Sequence, residues 1–231
     1  MDARPARRVG ADDRGNPPHH TRARRRAAPQ DGFDLPWAAA LRRGLAGLDA
    51  LGPDARPGLR ALRALVLPRR DEILAQLARL EGLRETVRHL RGPLVLCHTD
   101  IIGDNLLVDD QRRLSVLDWD EARVAPPEYD LYEVCDGDFA RFLAVYCAAG
   151  GSGPLRLDHF AFALLRRAVG DMAVRLLSVV DEDRAPEVEA EALNGIEAWG
   201  FARWRGIDAT LAALAPTLRQ HDAHEQPSAE T

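Results

Sequence analysis

Apolar positions change their period twice along the chain, and each change marks a change of predicted structure. Trp37, Leu41, Leu45 and Leu48 recur at spacings of four, four and three, one face of a helix. Gly52-Pro53 breaks that run. Ile73, Leu74, Leu77, Leu80, Val87 and Leu90 form a second helical stripe, with Asp71 and Glu72 at its electropositive start and Gly92-Pro93 at its end. The spacing then shortens. Leu94-Val95-Leu96-Cys97, Leu106-Leu107-Val108 and Leu114-Ser115-Val116-Leu117 are strand-type runs, the last two joined by the turn sequence Asp109-Asp110-Gln111-Arg112. Residues 94–118 therefore read as a small β element. Beyond it, Asp130 with Glu133 three residues on has a capping-box pattern, predicting a helix that runs through Phe139, Phe142, Leu143 and Tyr146 to Gly150-Gly151. Two long helices are predicted after that, from Leu157 to Val180 and from Pro186 to Ala213. The fold class is α+β, mainly helical, around a small hairpin.

The ends differ from this middle. Residues 1–32 are rich in Arg and Pro and poor in large apolar side chains, so they read as a disordered tail that cannot offset its ordering entropy. Residues 219–231 read as a polar tail, which leaves 33–218 as the folded unit. The Arg22–Arg26 cluster lacks the aromatic interleaving of a nucleic-acid site.

Charge sharpens the picture. The chain of 231 residues has a formal net charge of -5, and all 31 basic side chains are Arg. Chemistry that needs a lysine amine is therefore excluded within this chain. Residues 1–30 hold eight Arg against three Asp, which leaves 23 Arg against 33 acidic residues for 31–231. That acidity favours cationic small molecules over nucleic acid. Three Cys without CxxC spacing read as reduced, buried thiols, and no apolar run approaches membrane-spanning length. With no secretory leader pattern either, the expected location is the cytoplasm.

Candidate chemistry concentrates in His98-Thr99-Asp100-Ile101-Ile102-Gly103-Asp104-Asn105 and in Leu117-Asp118-Trp119-Asp120. Phosphoryl transfer needs a group that orients the attacking hydroxyl and accepts its proton, and oxygen ligands that hold magnesium on the nucleotide phosphates. An Asp and an Asn five residues apart on a loop leaving a strand suit those two tasks, and a second Asp at the end of a neighbouring strand completes the metal site. Asp100, Asn105 and Asp118 fit the three roles, with the 106–117 hairpin returning Asp118 towards Asn105.

The pattern H-x-D-x-x-x-x-N, then strand, turn and strand ending in Asp118-Trp119, resembles the aminoglycoside phosphotransferase family, which shares the protein-kinase-like fold. Asp118-Trp119-Asp120 followed by Ala125-Pro126-Pro127-Glu128-Tyr129-Asp130-Leu131 is most similar to its spectinomycin phosphotransferase branch. The resemblance covers roughly residues 33 to 215 and is specific over 94–131. It implies the C-terminal lobe of such a phosphotransferase, an enzyme of antibiotic resistance that uses ATP as donor and Mg2+ as cofactor. It implies Asp100 as catalytic base, Asn105 and Asp118 as metal and nucleotide ligands, and His98 and Asp130 as structural supports. Asp120 and Glu121 are candidates for contacts to a substrate amine, and the acceptor it implies is a hydroxyl of a small cationic molecule.

The family's first lobe is a mostly antiparallel sheet with a glycine-bearing phosphate loop and a lysine. About thirty residues precede the first helix, too few for such a sheet at five or six residues per strand plus turns. The sequence therefore predicts a chain without its nucleotide lobe, and leaves three readings: an incomplete phosphotransferase, a non-catalytic remnant or binding module of the same fold, or one half of a split kinase whose first lobe is a separate chain.

Overall fold

A computed structural model describes residues 27–135, 137–151, 153–181 and 184–225. The expectations for residues 1–26 and 226–231 lie outside these described residues. The element order is α1 (Ala38–Asp49), α2 (Pro57–Val66), α3 (Arg70–His89), β1 (Val95–Cys97), β2 (Leu106–Val108), β3 (Leu114–Val116), β4 (Arg123–Ala125), α4 (Glu128–Leu131), α5 (Phe139–Ala148), α6 (Leu157–Asp181), α7 (Pro186–Gly195) and α8 (Ala202–Glu225).

Helix α6 is the axis of the domain. It packs against α1, α3, α7 and α8, and its Phe160, Phe162, Leu165, Val169 and Met172 are fully buried. A helix surrounded on several sides must be apolar over most of its circumference, and this one is buried from His159 through Leu165 without a break. Burial of each large apolar side chain contributes about 1.5–3 kcal/mol. The stripe Leu41, Leu45, Leu48 of α1 and the stripe Ile73, Leu77, Leu80, Val87 of α3 face this axis, as their spacing predicts.

Two small antiparallel ladders carry the loops. β1 pairs with β4 in the register Val95↔Ala125, Leu96↔Val124 and Cys97↔Arg123. β2 pairs with β3 in the register Leu106↔Val116, Leu107↔Ser115 and Val108↔Leu114. The Asp109 side chain accepts from the amides of Gln111 and Arg113 and so shapes the hairpin turn, where Arg112 takes a positive φ of 61°.

Several expectations need correction. The sequence reading put the start of the folded unit at residue 33, but Val124 donates its amide to the Pro29 carbonyl, and Asp31 donates its amide to the Val124 carbonyl. The Asp31 side chain is buried. Helix α2 was missed because its buried positions, Gly58, Leu62 and Val66, include a glycine that hides the stripe. Asp130 does not cap a long helix. It lies inside the four-residue α4, and α5 is opened instead by Asp138, whose carboxylate accepts from the Arg141 amide at 3.1 Å. The last predicted helix is interrupted by a π-type segment, Ile196–Phe201, and α8 continues past Ala213 and past residue 219 to Glu225, held by buried Leu214 and Leu218. Among the described residues, no helix is long and apolar enough to cross a membrane.

Candidate active site

The loop after β1 is fixed by buried polar groups. Asp130 sets one carboxylate oxygen 2.9 Å from the His98 amide and the other 2.7 Å from the Thr99 amide. A carboxylate that accepts two backbone N–H bonds is a strong local tie. It holds Thr99 at φ 70°, a left-handed conformation that a β-branched residue adopts only under constraint. The Thr99 hydroxyl adds a bond to the Glu121 carbonyl at 3.1 Å.

His98 ties this loop to the end of β3. Its ring is buried, with Nε2 2.7 Å from the Leu117 carbonyl and Nδ1 3.3 Å from the Asp100 amide. The neutral tautomer protonated at Nε2 satisfies both bonds, donating to Leu117 and accepting from Asp100. Trp119 covers the imidazole edge-on, with ring centroids 4.8 Å apart. Leu117 in turn donates its amide to the Asn105 carbonyl at 2.9 Å. Both backbone polar groups of Leu117, the residue that precedes Asp118, are thus pinned to the loop after β1. Asp118 follows at φ 58°, a region that Asp tolerates better than most residues.

Asp100 sits at the centre of this network. Asn105 donates its side-chain amide to the Asp100 carbonyl at 2.8 Å and to the Asp100 carboxylate at 3.0 Å. That leaves the Asn105 side-chain oxygen for another partner. Asp118 is exposed, and its carboxylate makes no hydrogen bond or ion pair with the described residues. An amide oxygen and a free carboxylate are hard donors of the kind magnesium takes, and magnesium commonly draws its remaining ligands from water and substrate phosphates. The donor set fits that ion. No cluster of three or more His, Cys, Asp or Glu capable of holding a metal occurs among the described residues.

Arg167, which the sequence reading did not single out, completes the environment of Asp100. Its Nη1 lies 2.6 Å from one Asp100 carboxylate oxygen, and its Nε lies 3.0 Å from Asp171 one turn further along α6. Burial works against the Arg167 charge, but Tyr132, Asp171 and Asp100 outweigh it and push its pKa up. Its neighbour Arg166 donates to Asp31 at 2.9 Å, and Arg123 reaches the same Asp31 oxygen at 3.4 Å. The one available signal was a pair of arginines directly after the apolar run Phe160-Ala-Phe-Ala-Leu-Leu165, with Asp171 four residues beyond Arg167.

These groups line a cleft of about 280 Å³ in which Thr99, Asp100, Glu121, Arg166 and Arg167 meet the aromatic faces of Trp37, Tyr129 and Tyr132. Of the sequence-predicted site residues, Asp100 and Glu121 line it, and Glu121 is bonded to Arg123 at 2.5 Å. His98, Asn105 and Asp130 stand behind the loop. Asp120 is exposed and is not part of the cleft wall. Four carboxylates and three arginines line the cleft, and each carboxylate is paired with an arginine. Cys97, under the loop, has its thiol pushed up to about 12 by burial and by the nearby carboxylates of Asp130 and Glu128, so it is a packing group rather than a nucleophile.

Residues 13–160 match the phosphotransferase enzyme family. The chain belongs to that family. Its fold is similar to two solved forms of spectinomycin phosphotransferase. One is the complex with ADP and spectinomycin, 18% identical at a TM-score of 0.60, with 74% of this chain and 53% of that one covered. The other is the AMP-bound complex, 17% identical at a TM-score of 0.61, with 80% and 58% covered. An aminoglycoside phosphotransferase from Alicyclobacillus acidocaldarius is 20% identical at a TM-score of 0.54, with 83% and 59% covered. Among curated proteins, none matches the sequence. The chain therefore spans just over half the length of the solved structures it resembles, and the mainly helical fold is that of the C-terminal lobe of a kinase-like phosphotransferase.

Proposed function

We propose that this chain serves Mg2+- and ATP-dependent phosphoryl transfer to a hydroxyl of a small molecule, as the half that holds the acceptor and the metal. The observation that carries this reading is the bond between Asn105 and Asp100, which lines the cleft, with Leu117 tying the backbone before Asp118 to Asn105 and His98. Asp100 takes the proton of the acceptor hydroxyl. Asn105, through the side-chain oxygen that its bonds to Asp100 leave free, and Asp118 would hold magnesium. When bound, the ion neutralises charge on the phosphates of ATP. His98 and Asp130 keep the loop in its left-handed form, so that Asp100 needs little reorganisation to act.

The three cysteines are free thiols, two of them buried, which suits the reducing cytoplasm as the place of action. The span of just over half of each similar structure supports a second reading, a binding module of the same fold or a partner to a nucleotide lobe on a separate chain. Calorimetric titration with ATP at millimolar Mg2+ tests the first reading. Saturable, magnesium-dependent binding that Asp118→Ala abolishes is the expected result. Absence of nucleotide binding, with acceptor binding retained, would leave only the binding-module or split-chain reading.

A further inference from the structure

The charged groups that line the cleft are taken up by one another, and one aromatic side chain is left open. Resting on the proposal that this is the acceptor site, we infer that Trp37 is its specificity-determining residue. It stacks on a hydroxylated ring that presents an apolar face, such as a pyranose or cyclitol ring.

Ala163, Arg166, Arg167, Gly170 and Asp171 recur at the spacing of one helix face and bring α6 to the cleft as a single wall. The charges on and around that wall are internally matched. Asp31 is bonded to Arg166 and Arg123, Glu121 to Arg123, and both Asp100 and Asp171 to Arg167. No carboxylate or guanidinium of the lining is without a partner, so the aromatic residues decide what else a ligand meets.

Three aromatic residues line the cleft, and two of them are already covered. Tyr129 is 4% exposed and Tyr132 6%. The Arg166 guanidinium lies 5.8 Å from the Tyr129 ring centroid, and that of Arg203 lies 5.9 Å from the Tyr132 centroid. Trp37 differs. Its spacing with Leu41 reads as the first core position of a helix, yet it precedes α1 and stays half-buried on the cleft wall. The indole rests on Gly170, where a Cβ would come within 3.3 Å of Trp37 Nε1 and 3.5 Å of its Cε2. Glycine inside a 25-residue helix weakens it relative to alanine, and the room it leaves for the indole accounts for its presence. Gly170 stands three residues after Arg167, roughly 4.5 Å along the helix axis. The Trp37 wall therefore adjoins the ion pair of Arg167 with Asp100. A ring with equatorial substituents turns a face of C–H bonds to an indole and keeps its hydroxyls at the rim, where Asp100 can meet one. The volume of about 280 Å³ sits at the small end of ligand cavities, roughly 300–1,000 Å³, and suits one ring.

Methyl β-D-glucopyranoside and sorbitol are the probes: both are neutral and hydroxylated, and only the first has a ring with a C–H face. Fluorotryptophan is incorporated into the full chain, and the fluorine resonances of Trp37, Trp119, Trp199 and Trp204 are assigned by replacing each in turn with Phe. Without nucleotide or metal, the glucoside is expected to shift the Trp37 resonance saturably and to leave the other three in place. Sorbitol is expected to bind at least about tenfold more weakly, and Trp37→Ala to weaken the glucoside by a similar factor, with part regained in Trp37→Phe. Circular dichroism reports whether each variant is folded, and the wild-type resonance needs no substitution. The inference is overturned if the glucoside leaves the Trp37 resonance unmoved, or if sorbitol or choline (a cation without a ring) moves it at as low a concentration. It is equally overturned if folded Trp37→Ala binds the glucoside as well as the wild type does. Ring binding at Trp37 without ATP-dependent transfer to any hydroxyl would remove the proposed function and keep this inference. ATP-dependent transfer with an acceptor KM unchanged in folded Trp37→Ala would do the reverse.

Discussion

The guanidinium of Arg167 lies 2.6 Å from the carboxylate of Asp100, joining the central helix to the loop that leaves β1. Through Asp171, 3.0 Å from the same guanidinium, the ion pair is anchored to the α6 backbone one turn away. The orientation of Asp100 is therefore set from two sides, by Asn105 from within the loop and by Arg167 from the core helix.

Replacing Arg167 with Met should leave two partly buried carboxylates without their partner. The expected loss of stability is about 1–3 kcal/mol, the range for a hydrogen-bonded charged group left unsatisfied. Urea unfolding of Arg167→Met, Asp100→Asn and the double variant measures it. A coupling energy above about 0.5 kcal/mol is expected for residues in direct contact, and a coupling of zero would contradict the contact.

The split between what the chain revealed in sequence and what it hid follows from distance along it. Asp100, Asn105 and Asp118 share one short stretch, and the geometry of strand, turn and strand converts that spacing into proximity. Arg167 lies 67 residues after Asp100, and Arg166 lies 135 residues after Asp31, so those pairings exist only once α6 has packed. Helices α1, α3 and α6 were readable because their buried stripes are long. Asp130 misled for a physical reason: a carboxylate that looks like a local cap is engaged with amides 31 and 32 residues away. Local rules apply only to side chains that satisfy themselves locally.

That bidentate tie of Asp130 gives a second prediction. Asp130→Ala removes the acceptor of two partly buried amides and releases Thr99 from its left-handed conformation. A loss of about 2–3 kcal/mol is expected, from two bonds near 1 kcal/mol each plus part of the desolvation of the orphaned amides. Hydrogen exchange should show the His98 and Thr99 amides exchanging much faster, while α3 and α6 keep their protection. Uniform acceleration across the domain would instead indicate a general loss of stability.

Metal binding can be followed without any reaction. If Asn105 and Asp118 are the ligands, Mn2+ in the presence of ADP should broaden the resonances of residues 100–105 and 117–120 in the native chain. In Asp118→Asn the affinity should fall at least about tenfold, since losing even a supporting partner of a metal ligand commonly costs 10–100-fold. Asp120→Asn should change little, because Asp120 is not one of the two proposed ligands. Equal effects of the two variants would shift the assignment from Asp118 to a general acidic patch.

The last prediction concerns alkaline stability, where the absence of Lys removes the usual overlapping titration near pH 10. Burial, first among the causes, pushes the Cys97 thiol from its ordinary 9.0 up to about 12 and pushes the Tyr129 and Tyr132 phenols above their ordinary 10.0. The folded chain thus holds these three protons more tightly than the unfolded chain. Unfolding then releases protons at high pH, so the stability these groups contribute is fully present below about pH 9 and declines as pH rises. The slope from each group is about 1.4 kcal/mol per pH unit once its unfolded form has ionised. Cys97 begins to act first, near pH 9, and the two tyrosines join near pH 10. Urea midpoints measured from pH 7 to 11 should therefore be flat and then fall with a steepening slope. In Cys97→Ala the fall should begin about one pH unit later, and a wild-type profile that stayed level to pH 11 would contradict the buried, neutral state of all three groups.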